Sequence, residues 1–204
     1  MGTLIEHKFG IFRKGLEAFV IFTDDEWQIF QSYLRFKNLR KKDLFHPINQ
    51  VCNDIAFVVS GMIRYYMVKD GEEKTTYFSF ANDMVSSYKS FLTRQPAITC
   101  LEAMVDTELI TLSYAAMQEL YNNPQLAYKM ERFGRLTGEY LACCYEDRVL
   151  SFVTQSPEER YLQLLDSGKN IIQNIPQHYI ANFLGITPVS LSRIRKRILE
   201  PVVK

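Results

Sequence analysis

Hydroxyl and cationic side chains follow one another closely in Thr187, Ser190, Ser192, Arg193, Arg195, Lys196 and Arg197. Hydroxyls and lysines donate to phosphate oxygens, and an arginine fork can hold the O6/N7 edge of a guanine. This chemistry requires the side chains to be presented together on something rigid. At about 100° per residue, Val189, Ser192, Arg193 and Lys196 share one face of a helix, with Ser190 and Arg197 flanking it. Leu191, Ile194 and Ile198 form the opposite, apolar stripe.

The preceding residues supply the frame. Thr187-Pro188 is a helix start, an N-cap hydroxyl followed by proline at the first helical position. Gly185 suits the left-handed conformation that ends a helix sharply. Before it, Ile180, Ala181 and Leu184 fall on one face, and small Ala181 lets a second helix cross closely. Pro176 suits the first turn of that earlier helix, and Gln177 beside it joins the candidate contact set. The spacing predicts a helix-turn-helix whose second helix, 187–198, lies in a DNA groove. The plainer alternative is a helical hairpin with a solvated basic face.

Composition limits the rest. A chain of 204 residues, 47% hydrophobic, is long enough for one large domain or two small ones. Its net charge of +1 carries no nucleic-acid signal, but the distribution does. Residues 187–204 hold Arg193, Arg195, Lys196, Arg197 and Lys204 against Glu200, a balance of +4 that leaves −3 elsewhere. No run of about 18 apolar residues predicts a membrane span. Glu6, His7 and Lys8 interrupt any signal-peptide pattern, so a cytoplasmic protein is expected. Cys52, Cys100, Cys143 and Cys144 lack C-x-x-C spacing and read as reduced thiols. Neighbours on a helix diverge by about 100°, which strains any Cys143–Cys144 bond. No metal ligand set, Gly-rich phosphate loop or nucleophile motif stands out, so neither an enzyme nor a cofactor is expected.

Residues 1–40 read as mostly helical, with a start at Thr23-Asp24-Asp25-Glu26 ahead of Trp27, Phe30, Tyr33 and Leu34. Ile55–Val59 and Met62–Val68 are strand-like, and Asp70-Gly71 turns the chain back into Lys74–Phe80. A second hairpin is drawn from Ile98–Val105 to Glu108–Leu112. Short strands with regular turns predict a small antiparallel roll. After Asn123-Pro124, residues Leu126, Met130, Phe133, Thr137, Tyr140 and Cys144 recur at steps of four and three. This spacing predicts a coiled-coil-like dimer seam, or else a helix packed on its own domain. Ser156-Pro157-Glu158-Glu159 begins another helix, which Gly168 ends. The expected division is a sensor domain over 1–122, a dimerisation helix over 123–153 and a DNA-binding domain over 154–204.

The order roll, long helix, helix-turn-helix resembles the Crp/Fnr family of bacterial transcription regulators across essentially the whole chain. The most specific match is Ile175-Pro176-Gln177, Ile180-Ala181, Leu184-Gly185-Ile186-Thr187-Pro188 and Leu191-Ser192-Arg193-Ile194-Arg195, which looks like the variant of Bacteroidetes-type members. Val59-Ser60-Gly61 resembles the start of the family's first roll hairpin. The resemblance implies an α+β chain: a jelly-roll-like, cyclic-nucleotide-binding-like double-stranded β-helix, a long dimerisation helix, and a degenerate winged helix-turn-helix. It implies double-stranded DNA, a second copy, a small-molecule effector and RNA polymerase as partners, and no membrane. Two-fold symmetry would set half-sites about 34 Å apart.

The departures narrow the expectation. Where cyclic-nucleotide binders carry a Gly-Glu-Leu segment and an Arg-Ser pair, this chain has Ser86-Ser87-Tyr88-Lys89 through Arg94, then Ala97-Ile98. Ser87 replaces the acid and Ala97-Ile98 the Arg-Ser pair, so cyclic AMP is not expected to bind in the usual manner. Ser86, Ser87, Tyr88, Lys89 and Arg94 remain candidates for a pocket serving another anion, against the alternative of solvated loop cations. The family's N-terminal cysteine cluster is missing, and His7 and His46 are isolated. Pro188-Val189 replace the Arg-Glu pair that opens the cyclic-AMP-receptor reading helix, so a different half-site is expected, with Arg193 on a guanine and Val189 on a thymine methyl. The chain ends soon after Arg197, leaving little room for a wing. The competing reading is a signalling protein whose main activity is nucleotide or metabolite sensing; a roll filled by its own side chains would sink it.

Overall fold

A computed structural model describes residues 2–168, 172 and 175–199. The elements run α1 (Gly2–Leu16), α2 (Asp24–Ser32), β1 (Arg35–Leu39), β2 (Leu44–His46), β3 (Asp54–Ser60), β4 (Met62–Lys69), β5 (Glu72–Phe80) and β6 (Met84–Val85). Then follow α3 (Tyr88–Thr93), β7 (Cys100–Ala103), β8 (Thr107–Ser113), α4 (Tyr114–Tyr121), α5 (Ala127–Thr154), α6 (Pro157–Gly168), α7 (Gln177–Leu184) and α8 (Pro188–Leu199).

Two antiparallel four-stranded sheets, ordered β1-β8-β3-β6 and β2-β7-β4-β5, make the roll. Strand side chains alternate between faces, so each sheet has an inner and an outer set. Leu39, Ala56, Val58, Val85 and Leu109 of the first sheet meet Phe45, Ile63, Leu101 and Ala103 of the second between them. The outer face of the first sheet is covered by helices: Phe57 and Ile110 pack with Phe12, Trp27, Phe30, Phe91 and Met117. The outer face of the second sheet carries the C-terminal helices, through Met62, Phe78 and Met104.

The expected β4–β5 hairpin forms, in register from Met62↔Phe80 to Lys69↔Glu72. The second hairpin does not. β7 pairs with β2 and β4, whereas β8 pairs with β1 and β3, so the chain crosses between sheets after Ala103. Local turn residues cannot reveal that crossing, because both strands find partners distant in sequence. The helical reading of 1–40 also fails at its end: Arg35–Leu39 is strand β1, fixed against β8 from Arg35↔Thr111 to Leu39↔Thr107. Tertiary pairing here overrides local periodicity. The start of α2 is a reciprocal capping box, with Glu26 N–H donating to Thr23 Oγ1 and Thr23 N–H to Glu26 Oε2 at 2.7 Å.

At about 1.5 Å per residue, the 28 residues of α5 span roughly 42 Å. Leu126, its N-cap, and Met130 and Phe133 in its first half complete the helical cluster on the roll, each at most 3% exposed. The core of the N-terminal unit therefore continues past the expected boundary at 122 and into α5.

Candidate nucleic-acid interface

Helices α6, α7 and α8 form the head. Its core is Tyr161 and Leu164 of α6, Ile180, Ala181 and Leu184 of α7, and Leu191 and Ile194 of α8. α6 opens with a second capping box, Ser156 N–H to Glu159 Oε2 at 2.7 Å and Glu159 N–H to Ser156 Oγ. α7 ends at Gly185 with φ 71°, the left-handed value a side chain would resist. Ile186 N–H reaches back to the Ala181 carbonyl at 2.9 Å and Gly185 N–H to Asn182, which closes the turn. Thr187 caps α8, its Oγ1 accepting from Ser190 N–H at 3.1 Å. Pro188 is the first residue of α8, as expected, whereas Pro176 lies just ahead of α7 as its N-cap.

The burial of α8 is one-sided. Leu191 and Ile194 are buried, while Val189 (62% exposed), Ser192, Arg193, Lys196 and Arg197 are exposed. Ser190 is half-buried, and its hydroxyl lies 3.0 Å from that of Thr187. Arg197 pairs with Glu158 of α6 at 2.8 Å, and an exposed pair of this kind costs little to open. Gln177 is exposed at the start of α7. The face thus has hydroxyls at its N-terminal end and cations beyond them. Glu200 and Lys204 of the basic segment, and the expected degenerate wing, lie outside the described residues.

Sequence reasoning missed how firmly the head is fixed to the roll. α7 lies along β5. The ring of Phe183 packs on Phe78 with centroids 5.2 Å apart, and Asn182 Nδ2 donates to the Glu73 carbonyl. From α5, Arg148 donates to the Phe183 carbonyl at 2.6 Å and stacks on its ring at 3.7 Å. Burial, with the charge of Arg160 second, lowers the Arg148 pKa to about 10. Arg160 of α6 donates to the Ser151, Gln155 and Leu184 carbonyls, joining three helices. The guanidinium of Arg64, fully buried in β4, lies 3.5 Å from the ring of Tyr179 in α7. A charged residue inside the strand-like run Met62–Val68 was the available signal for this contact.

The five expected pocket residues come together, but outside the roll. They form α3 and its ends, and Phe91 of α3 packs in the helical cluster on the outer face. Ser86 donates to the Asp54 carbonyl. Tyr88 is half-buried, and its hydroxyl sits near Gly138 of α5. Arg94 donates to the Cys52 carbonyl at 2.8 Å and to Asn53, and stacks on Tyr114 at 4.0 Å. Ser87 and Lys89 lend their carbonyls to the helix, and the Lys89 side chain is exposed. Arg94 is thus held by its own chain, and apolar side chains of the two sheets pack against one another inside the roll.

The expected seam residues divide between covered and open surface. Leu126, Met130, Phe133 and Thr137 are buried against their own chain, whereas Tyr140, edge-on to Phe19 as Phe133 is, stays 55% exposed and Cys144 is half-buried. Tyr140 also bonds with Cys144, which together with burial raises its hydroxyl pKa to about 12. As far as Thr137 the four-three spacing marks a helix packing on its own domain. The exposed stripe runs along the other side, through Ala142, Val149 (63% exposed), Leu150 and Val153 (79% exposed). Cys143 is exposed at its edge. Among the described residues, no group of three His, Cys, Asp or Glu side chains is placed to hold a metal, and no helix is long and apolar enough to cross a membrane.

Fold and head together define the class: a β-roll carrying a helix-turn-helix, joined by a long helix. No protein-family model matches the sequence, and no curated protein matches it. Solved structures do. A transcriptional regulator of the Crp/Fnr family from Eubacterium rectale superposes with a TM-score of 0.64 at 22% identity, over 90% of this chain and 87% of that one. CLP, a c-di-GMP-responsive global regulator from Xanthomonas campestris, gives 0.62 at 13% identity, over 84% and 89%. FixK2 from Bradyrhizobium japonicum gives 0.61 at 19% identity, over 81% and 84%. The chain has the fold of Crp/Fnr-family transcription regulators.

Proposed function

We propose that this protein is a homodimeric DNA-binding transcription regulator that reads a two-fold symmetric site through α8. The observation that carries this reading is the outward face of α8, Val189, Ser192, Arg193 and Lys196, presented on a head that α7 anchors to the roll. Arg193 contacts a base edge, Val189 a thymine methyl, and Gln177, Thr187, Ser190, Ser192, Lys196 and Arg197 the backbone. The two copies join along Ala142, Val149, Leu150 and Val153, the apolar face of α5 that its own chain leaves uncovered. The roll serves as scaffold. Between its two sheets Val58, Ile63, Leu101 and Leu109 are fully buried against one another, the packing of a scaffold. That apolar packing favours the regulator over the second reading, a signalling protein whose main activity is nucleotide or metabolite sensing.

The test is selection of bound sites from random DNA by the purified protein, with Arg193→Ala beside it. The expected result is a palindromic site. The variant should bind it about 1–3 kcal/mol more weakly and relax one base pair in each half. An Arg193→Ala protein that selects the wild-type site with wild-type affinity removes α8 from the interface.

A further inference from the structure

Arg64 is fully buried in the roll's second sheet, where a guanidinium must be paired to be tolerated. The strands supply that pairing. Nε donates to Thr75 Oγ1 at 2.9 Å, and Nη1 lies 2.8 Å from Glu73 Oε2 and 3.2 Å from Glu102 Oε2. Tyr66 flanks it within the roll at 4.4 Å. The ring stacked closest, at 3.5 Å, belongs to Tyr179 in the head. Nη2 has no hydrogen-bond partner. The residue that aims Arg64 with its carboxylate, Glu73, also accepts from Asn182 of the same helix through its carbonyl. Three strands of the roll therefore converge on one cation, and that cation faces the first helix of the reading head. A guanidinium over an aromatic face is attracted most strongly where water is excluded, and the contact fixes ring orientation as well as distance.

We propose that Arg64 is a positioning residue for DNA reading. It clasps Tyr179 so that the head keeps one heading on the roll, which sets the separation of the two α8 helices in a dimer. The inference rests on the reading of α8 as the DNA-binding helix. It assigns spacing selectivity to Arg64 and Tyr179, and base selectivity to α8.

Two variants weaken the clasp from opposite sides. Tyr179→Leu removes the stacked ring and keeps an apolar side chain in the head. Glu73→Gln loosens the aim of Arg64 from the roll surface, where the carboxylate is partly exposed. Tyr179→Phe keeps the ring and serves as the conservative control. Amide hydrogen exchange on the unbound proteins measures the docking directly. Site selection from DNA libraries with varied half-site spacers measures its effect on reading. For Tyr179→Leu, α7 and β5 amides should exchange on the order of tenfold faster, with α8 and β1 amides unchanged. Spacer preference should broaden while the half-site sequence stays the same. Glu73→Gln should shift both readouts the same way by less, and Tyr179→Phe should restore both. The proposal is overturned if both weakening variants exchange like wild type. It is also overturned if α8 amides accelerate as much as α7, which would mean a destabilised head, or if the half-site changes while spacing holds. If the wild type selects no DNA, the reading of α8 fails, and the exchange results alone then decide the clasp.

Discussion

The two faces of α5 make opposite predictions, and one substitution on each separates them. Val153 is 79% exposed on the uncovered stripe, so Val153→Glu leaves the fold of a single chain unchanged. In a two-fold dimer the substitution enters twice. Burying a valine contributes about 1.5 kcal/mol, so two lost valines amount to about 3 kcal/mol per dimer. At about 1.4 kcal/mol per tenfold, dissociation becomes on the order of a hundredfold easier, before any repulsion between facing carboxylates. Met130 lies on the opposite face with no exposure, inside the cluster that covers the roll. Met130→Ala should therefore cost about 2–5 kcal/mol of folding stability and leave association intact. Sedimentation velocity over a dilution series reads the first quantity, and urea unfolding at high protein concentration the second. A Met130→Ala protein that falls to monomer with an unchanged urea midpoint would return the seam to the face it was first read on. A Val153→Glu protein that associates like wild type would remove α5 from the interface.

Other consequences are local. Gly61 sits at φ +96° with the Asp106 carbonyl 2.7 Å from where a Cβ would be, so Gly61→Ala should lose about 1–3 kcal/mol in thermal unfolding. Arg160→Met removes donors from the Ser151, Gln155 and Leu184 carbonyls, and about 1.5–3 kcal/mol of head stability should go with them, visible as faster amide exchange in α6 and α7. Burial depresses the pKa of His46, more than its bond to the Gln50 carbonyl raises it. The unfolded chain then takes up this proton first as pH falls through about 6.5. Stability from His46 is therefore present above that pH and declines below it, towards the folded pKa. Urea midpoints of wild type and His46→Gln between pH 7.5 and 5.5, about one unit either side of the ordinary histidine pKa, should diverge on the acid side; parallel curves would clear His46 of the effect.

Legibility in the sequence followed the range of the interactions. Caps and turns are decided within a few residues, so Thr23, Ser156, Gly185 and Thr187 could be placed from type and spacing alone. The exposed face of α8 followed from the same local logic. Strand partners were not legible, because β7 and β8 join sheets through residues far away in the chain. The four-three spacing of α5 showed that one face is buried without saying against what. Phe19 and Phe57, distant in sequence, decide that. Arg94 has the charge to bind an anion, but only the fold shows it committed to Cys52, Asn53 and Tyr114. Arg64 was passed over because strand propensity is indifferent to one cation whose partners lie on β5, β7 and α7.

The uninterrupted run of α5 gives the molecule a phase. One rod carries the residues that seal the roll near its start and Arg148, which grips the head, near its end. Each residue added or lost between Thr137 and Arg148 would turn everything beyond it by about 100° and shift it by about 1.5 Å. Clasp, apolar stripe and reading face would then fall out of alignment together, whatever their own sequences. Substitutions at the exposed positions of α5 outside the apolar stripe should therefore be tolerated far better than any change in its length. Insertions should gather instead at junctions such as Asp70-Gly71, where the chain reverses in solvent and nothing downstream is keyed to the count.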